Sequence, residues 1–266
     1  MTLCRKPAAS AWFRGSLAGL VLLVLQGCAS APNANPRDPW EPFNRQVHGF
    51  NEGFDEAVVK PVAIAYQDVT PSFLRTGVSN FFGNLSDVWS LVNNVLQLKP
   101  KESVETLARV GVNTTIGLAG VLDVATELKL EKHSEDFGQT LGRWGVPAGP
   151  YLVLPLLGPS TLRDTAALPV DWRGNLIGGV DDSVVRNSLS ALRVVDLRAG
   201  LLGASRMIDS AALDKYSFTR DAYLQRRRSL IRGFIGEPYS PPEERYDLPE
   251  PVNRTAPGGT SKPSQP

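Results

Sequence analysis

The chain has 266 residues, with 28 Lys or Arg against 27 Asp or Glu, a formal net charge of +1. So even a balance offers no cationic excess to neutralise a phosphate backbone, and nothing in it argues for a nucleic-acid partner. Two cysteines, Cys4 and Cys28, are the whole thiol content, so a disulfide framework is not what holds the fold together.

Arg5, Lys6 and Arg14 precede an apolar run over residues 17–25, and no acidic residue stands before Cys28. A charged start followed by a short apolar core is a secretory signal, too short to act as a membrane-spanning stop-transfer helix. Leu25-Gln26-Gly27-Cys28 closes it and is similar to the bacterial lipobox, in which the cysteine is diacylated and becomes the new N-terminus. Gln26 departs from the Ala or Ser usual there. Ala29 follows, rather than the Asp that retains lipoproteins in the inner membrane, so the resemblance points to the outer membrane. Residues 1–27 are thus expected to be a lipoprotein signal peptide and Cys28 the lipidation site. Cleavage removes Cys4 and three basic residues, leaving 25 basic against 27 acidic side chains.

Residues 28–39 carry Pro32, Pro36 and Pro39 among small polar residues and are expected to be a flexible tether. Residues 237–266 hold eight prolines and little apolar content, the composition of a disordered tail. The folded body is then 40–236. Phe43, Val47, Phe50, Phe54 and Val58 keep a helical step and predict an amphipathic helix that stops before Pro61. Thr70-Pro71 predicts the next start, a capping hydroxyl before a proline at the first helical position. Leu74, Val78, Phe81, Leu85, Trp89, Val92 and Leu96 continue that helix, with a break expected at Gly83-Asn84. Lys99-Pro100 makes a turn, 101–115 reads as the return helix, and further helices are expected over 183–212 and 214–234. The only strand-like run is Tyr151 to Leu154. The fold class is therefore mainly α, with irregular Pro/Gly-rich segments and no significant sheet.

Two segments are unusual. Thr76 to Leu98 carries one ionisable group, Asp87, in 23 residues, with Asn80, Asn84, Asn93 and Asn94 among aromatic and aliphatic side chains. Unpaired amides are costly in hydrocarbon, which argues against a simple membrane span. Two readings stand: an interfacial or half-inserted hairpin, and a buried helix at the centre of a soluble bundle. Trp144 to Leu162 has no charge in 19 residues, yet Pro147, Pro150, Pro155 and Pro159 forbid a continuous helix. Arg143 and Arg163-Asp164 stand at its ends, as contacts to a phosphate head group or as a local salt bridge beside a buried plug.

Catalytic patterns are missing. Ser160 and Ser205 do not complete a Gly-x-Ser-x-Gly elbow. His48 has no second histidine or cysteine at ligand spacing, and His133, in Glu131-Lys132-His133-Ser134-Glu135-Asp136, reads as solvated. No phosphate-cradling Gly-rich lysine loop occurs. Asp181-Asp182 reads as a helix cap and Arg226-Arg227-Arg228 as a solvated helix face. The expectation is no enzyme, no metal and no cofactor.

Asp38-Pro39-Trp40-Glu41-Pro42-Phe43-Asn44-Arg45, Lys60-Pro61-Val62-Ala63, Asn80-Phe81-Phe82-Gly83-Asn84-Leu85, and Phe137-Gly138-Gln139-Thr140-Leu141-Gly142-Arg143-Trp144-Gly145-Val146 through Tyr151 to Arg163-Asp164 together resemble the MlaA (VacJ-type) lipoproteins over about residues 38–235. The resemblance implies a ring-like helical domain embedded in the inner leaflet of the outer membrane around an amphipathic channel. Through it, misplaced outer-membrane phospholipids pass to a soluble periplasmic carrier, and family members associate with a trimeric porin. On this basis Phe137, Arg143, Trp144, Tyr151, Arg163 and Asp164 are the candidate channel and lipid contacts. Phe81, Phe82, Leu85, Trp89, Val92 and Leu96 are the candidates for membrane embedding or porin contact. The alternatives are an exported phospholipase or acyltransferase, and a structural lipoprotein that braces a porin complex.

Overall fold

The structure is a computed structural model that describes residues 35–232; the signal segment, Cys28 and the proline-rich tail lie outside the described residues. Helix dominates, as the apolar spacing predicts. In chain order the elements are α1 (Glu41–Phe54), a π-helical turn (Asp55–Val59), α2 (Lys60–Val69), α3 (Ser72–Leu96), α4 (Pro100–Thr115), a short α5 (Val124–Glu127) and α6 (Phe137–Arg143). There follow β1 (Tyr151–Leu154), β2 (Gly158–Thr161), α7 (Leu162–Gly174), a 3-10 turn (Leu176–Gly179), α8 (Ser183–Ala211) and α9 (Lys215–Arg232). α3 packs on α4, α2 on α8, α6 on α7, and α1 on β1.

The predicted halt before Pro61 does not occur. One π turn widens the helix over Asp55–Val59, and α2 begins with Pro61 in its first turn, where a proline's missing N–H costs nothing. Arg198 of α8 clamps this turn through two 2.7 Å bonds to the Asp55 carboxylate. Thr70 does not cap α3 either; it ends α2 in extended backbone, and Pro71 precedes α3 with no side-chain cap. α3 also runs unbroken through Gly83-Asn84. Gly83 instead makes room for the chain crossing over it: a Cβ there would stand 2.7 Å from Lys132 Nζ, and that ammonium lies 3.5 Å from the Asp87 carboxylate.

The fold starts earlier than a tether ending at 39 allows. Asp38 is 1% exposed; its carboxylate accepts from Asn44 Nδ2 at 2.8 Å, from the Tyr216 hydroxyl and from Arg220 Nη1 at 3.3 Å. Asn44 in turn pairs with the edge of β1, donating to Tyr151 O at 3.1 Å and accepting from Val153 N at 2.9 Å. Asn51, two turns on, does the same for Leu154 O and Leu156 N. Helix α1 thus supplies the hydrogen bonds that a third strand would give the two-stranded sheet, in which Tyr151 faces Thr161 and Leu154 faces Gly158.

Polarity runs opposite to that of a water-soluble core. Among the described residues twenty polar or charged side chains are buried against ten hydrophobic ones, whereas soluble proteins bury chiefly the aliphatic and aromatic types. α3 turns Asn84, Asp87, Ser90, Asn93 and Asn94 inward and leaves Phe73, Leu74, Val92, Val95 and Leu96 exposed. The apolar face of α1 behaves alike, with Phe43, Phe50 and Phe54 exposed around buried Asn44. No helix among the described residues is long and apolar enough to cross a membrane.

Candidate functional site

The buried amides of α3 divide between two neighbours: Asn84 and Asn94 donate to Thr114 and Thr106 of α4 at 3.1 and 3.4 Å, and Asn93 meets the segment that follows α5. Thr140 Oγ1 donates to Asn93 Oδ1 at 2.7 Å and accepts from Gln97 Nε2 at 3.1 Å. Gln97 Nε2 also reaches Glu135 Oε2 at 3.1 Å, and Lys99 Nζ meets Glu135 Oε1 at 2.7 Å with both side chains buried. The asparagines are therefore the inner seam of α3. His133 is likewise held: it is half-buried, with Nε2 2.6 Å from Glu105 Oε2. Glu131 completes a trio whose ligand atoms lie within 4.8 Å of one another.

Beside this seam lies a cavity of about 580 Å³. Leu85, Trp89, Leu168 and Trp172 form its apolar walls, and Glu135, Asp136, Asp171, Arg193, Arg226 and Arg227 its polar ones. Trp89 is fixed by a 2.8 Å bond from Nε1 to Asp171 Oδ1, which also accepts from Phe137 N at 2.8 Å. Burial raises the Asp171 pKa above the ordinary carboxylate value, against these two bonds.

An ion network closes the floor. Arg227 of α9 donates to Asp136 Oδ1 at 2.9 Å and to Asp164 Oδ2 at 3.0 Å. Tyr223 OH adds a 2.8 Å bond to Asp164 Oδ2, and Arg163 grips Asp164 Oδ1 at 2.9 and 2.8 Å. Burial works against ionising Asp136 and Asp164, but the bonds and charge of Arg227 outweigh it, so both carboxyls titrate below their usual range. Two glycines four residues apart on α6 admit the network: a Cβ at Gly138 would stand 2.6 Å from Asp164 Oδ1, and one at Gly142 2.7 Å from Arg163 Nη1.

The sequence candidates fall around the cavity more often than in it. Arg163 and Asp164 are buried and hold each other, the salt-bridge alternative that the sequence leaves open. Tyr151 is 1% exposed and packs against Tyr216 and Tyr223. Phe137 is half-buried, edge-on to Trp144, which is exposed and donates from Nε1 to Leu96 O at 3.1 Å. Arg143 is half-buried at the end of α6. None of these six lines the cavity, whereas Leu85 and Trp89 do. Phe81 and Phe82 line a separate apolar groove of about 900 Å³, and Val92 and Leu96 are exposed.

Arg226-Arg227-Arg228 is not a uniformly solvated face, because Arg227 is the hub of the ion network. Asp171, Trp172, Arg193 and Tyr223 go unnoticed in the sequence. Only Arg193 carries a local signal, one charge inside Leu189 to Val195.

Fold and site define a mainly helical protein with a polar interior, an apolar outside and a charged cavity held open by internal ion pairs. The chain belongs to the MlaA lipoprotein family, whose model, "MlaA lipoprotein", matches residues 36–230. It is 35% identical over 221 residues to the intermembrane phospholipid transport system lipoprotein MlaA of Escherichia coli K12, covering 81% of this chain and 86% of that protein. The protein of the same name in Haemophilus influenzae is 31% identical over 221 residues, with 77% and 85% covered. A solved structure, described as the structural basis for maintenance of bacterial outer membrane lipid asymmetry, superposes with a TM-score of 0.64 at 33% identity. It covers 73% of this chain and 98% of the other.

Proposed function

We propose that this chain is an outer-membrane lipoprotein of intermembrane phospholipid transport, which removes phospholipid misplaced in the outer leaflet and hands it to a soluble periplasmic carrier. The observation that carries the reading is the inverted packing: apolar side chains outside, and a charged cavity beside an interior of buried polar side chains. In a bilayer the exposed faces of α1 and α3 have hydrocarbon to meet, and the buried amides have no lipid to offend. A lipid head group needs a polar lane beside apolar room for its tails, and a cavity walled by two tryptophans and three arginines supports such a lane.

In this reading Cys28 is acylated and the apolar face with exposed Val92 and Leu96 embeds the body from the periplasmic side, where a porin trimer meets it; Phe82, buried at 5% exposure, takes no part in that face. The Phe137 to Asp164 block forms one wall. Arg163 and Asp164 act there as positioning residues for Arg227, while Leu85 and Trp89 face the lane. No lipid bond is made or broken, so the enzyme alternative is tested directly. Incubating the purified protein with labelled phospholipid should give capture and release of intact lipid; lyso-lipid or free fatty acid as product would overturn the proposal. A strain lacking the protein should accumulate phospholipid in its outer leaflet, and an unchanged leaflet would leave only the bracing role.

A further inference from the structure

The apolar groove and the charged cavity lie in sequence along the same two helices. On α3 the groove is lined by Val78, Phe81 and Phe82, and one turn later Leu85 and Ser86 belong to the cavity. On α8 Leu189 and Leu192 line the groove and the very next residue, Arg193, lines the cavity. The two helices are pinned together across this boundary by Arg193 Nη2 donating to Ser86 Oγ at 3.0 Å and Ser79 Oγ donating to Asp196 Oδ2 at 2.6 Å. Polarity therefore changes within one helical turn.

Arg193 is the cation at that boundary. Its other contact is a long 3.5 Å bond to Asn175 Oδ1, and no carboxylate lies within ion-pair distance among the described residues. Burial draws its guanidinium pKa down. The cavity's carboxylates are already engaged: Asp136 by Arg227, Glu135 by Lys99, and Asp171 by the Trp89 and Phe137 N–H groups. A half-buried guanidinium without a counter-ion is costly, and its planar donor fork matches phosphate oxygens.

We propose that Arg193 holds the phosphodiester of a glycerophospholipid in the charged cavity, with Ser86 beside it, while an acyl chain lies in the groove past Phe82 and Leu192. This assignment rests on the transport reading and narrows it. Recognition is of the phosphate and the diacyl body, and the alcohol beyond the phosphate is left to the wider cavity. Ethanolamine and glycerol head groups are therefore accepted alike, and diacylglycerol, which lacks the phosphate, is not.

The test uses the full lipidated chain in detergent with three photoactivatable probes carrying the reactive group on an acyl chain: phosphatidylethanolamine, phosphatidylglycerol and diacylglycerol. Both phospholipids should crosslink to peptides containing 73–82 and 189–192, and diacylglycerol only weakly. Arg193→Gln removes a charge-assisted contact and should lower capture of both phospholipids about tenfold with diacylglycerol unchanged, whereas Arg193→Lys should keep part of it. Leu189→Trp fills the groove, retains the cation and should reduce capture of all three. Undiminished phospholipid capture by Arg193→Gln, or crosslinks confined to other parts of the chain, overturns the assignment. The transport reading fails separately, if a strain without the protein shows a normal outer leaflet. If that strain accumulates phospholipid and Arg193→Gln restores it fully, only the role of Arg193 is lost.

Discussion

The indole of Trp89 lies directly on the backbone of Gly174: a Cβ at position 174 would stand 2.2 Å from its Cδ2. No side chain fits between the end of α7 and this ring, so a wall of the charged cavity depends on one absent methyl group. Gly174→Ala forces the indole off its seat and strains its 2.8 Å bond to Asp171. Overpacking of this kind costs about 1–3 kcal/mol. A lower thermal midpoint in detergent, together with a changed tryptophan emission, is the expected result. An alanine variant with wild-type midpoint and spectrum would show that the ring has somewhere else to go.

The two glycines of α6 predict a graded series. Gly138→Ala pushes a methyl into the Asp164 carboxylate and the Arg227 guanidinium, which a Cβ would approach to 2.6 and 2.8 Å. A loss of about 1–3 kcal/mol is expected, since both groups are fixed by other partners. Arg227→Ala removes the hub, taking the cation from half-exposed Asp136 and leaving buried Asp164 to Arg163 and Tyr223, at a cost of up to about 3–5 kcal/mol. Differential scanning of both variants should rank Arg227→Ala as the more damaging, and the reverse order would mean the network contributes little.

The same network sets an acid limit. Asp136 and Asp164 have folded-state pKa values below their ordinary ones, so each binds a proton less readily folded than unfolded. Their stabilisation is complete above the unfolded value of about 4 and is lost as pH falls through the folded values. The thermal midpoint should hold from neutrality to about pH 5 and decline below about pH 4. Asp164→Asn should be less stable near neutrality and show a shallower acid decline. A wild-type midpoint flat to pH 2 contradicts this.

How much of this was legible beforehand follows from what local spacing encodes. The helical step from Leu74 to Leu96 marks α3 because side chains three and four apart share a face whatever that face meets. Which way the face points is not local, so the inward turn of Asn84, Asp87 and Asn93 appears only with their partners Thr114, Arg109 and Thr140. Pro61 signalled a stop, and a π turn upstream absorbed it. The motif residues Gly138, Gly142, Arg163 and Asp164 stand out in the sequence and pack together in the fold. Their spatial complement, Tyr223 and Arg227, lies some sixty residues downstream, Arg227 in a run that reads as a solvated face, and no spacing rule joins them.

In the proposed function Cys28 and the apolar exterior are two separable grips on the membrane. A diacylated cysteine suffices for stable attachment, so an apolar face is a second, independent grip; the outward Val95 and Leu98, 55% and 82% exposed, are placed to supply it. A Cys28→Ala form exported by a different signal should still partition substantially into membranes. Adding Val95→Glu and Leu98→Glu sets two carboxylates on that face, each unfavourable by several kcal/mol if the face lies in hydrocarbon. Those changes should release the Cys28→Ala form into the soluble periplasm while leaving its helical content intact, because neither side chain packs in the interior. If Cys28→Ala alone is released cleanly, the acyl chains were the whole attachment, and the exposed apolar face of α3 must be covered by protein instead of lipid.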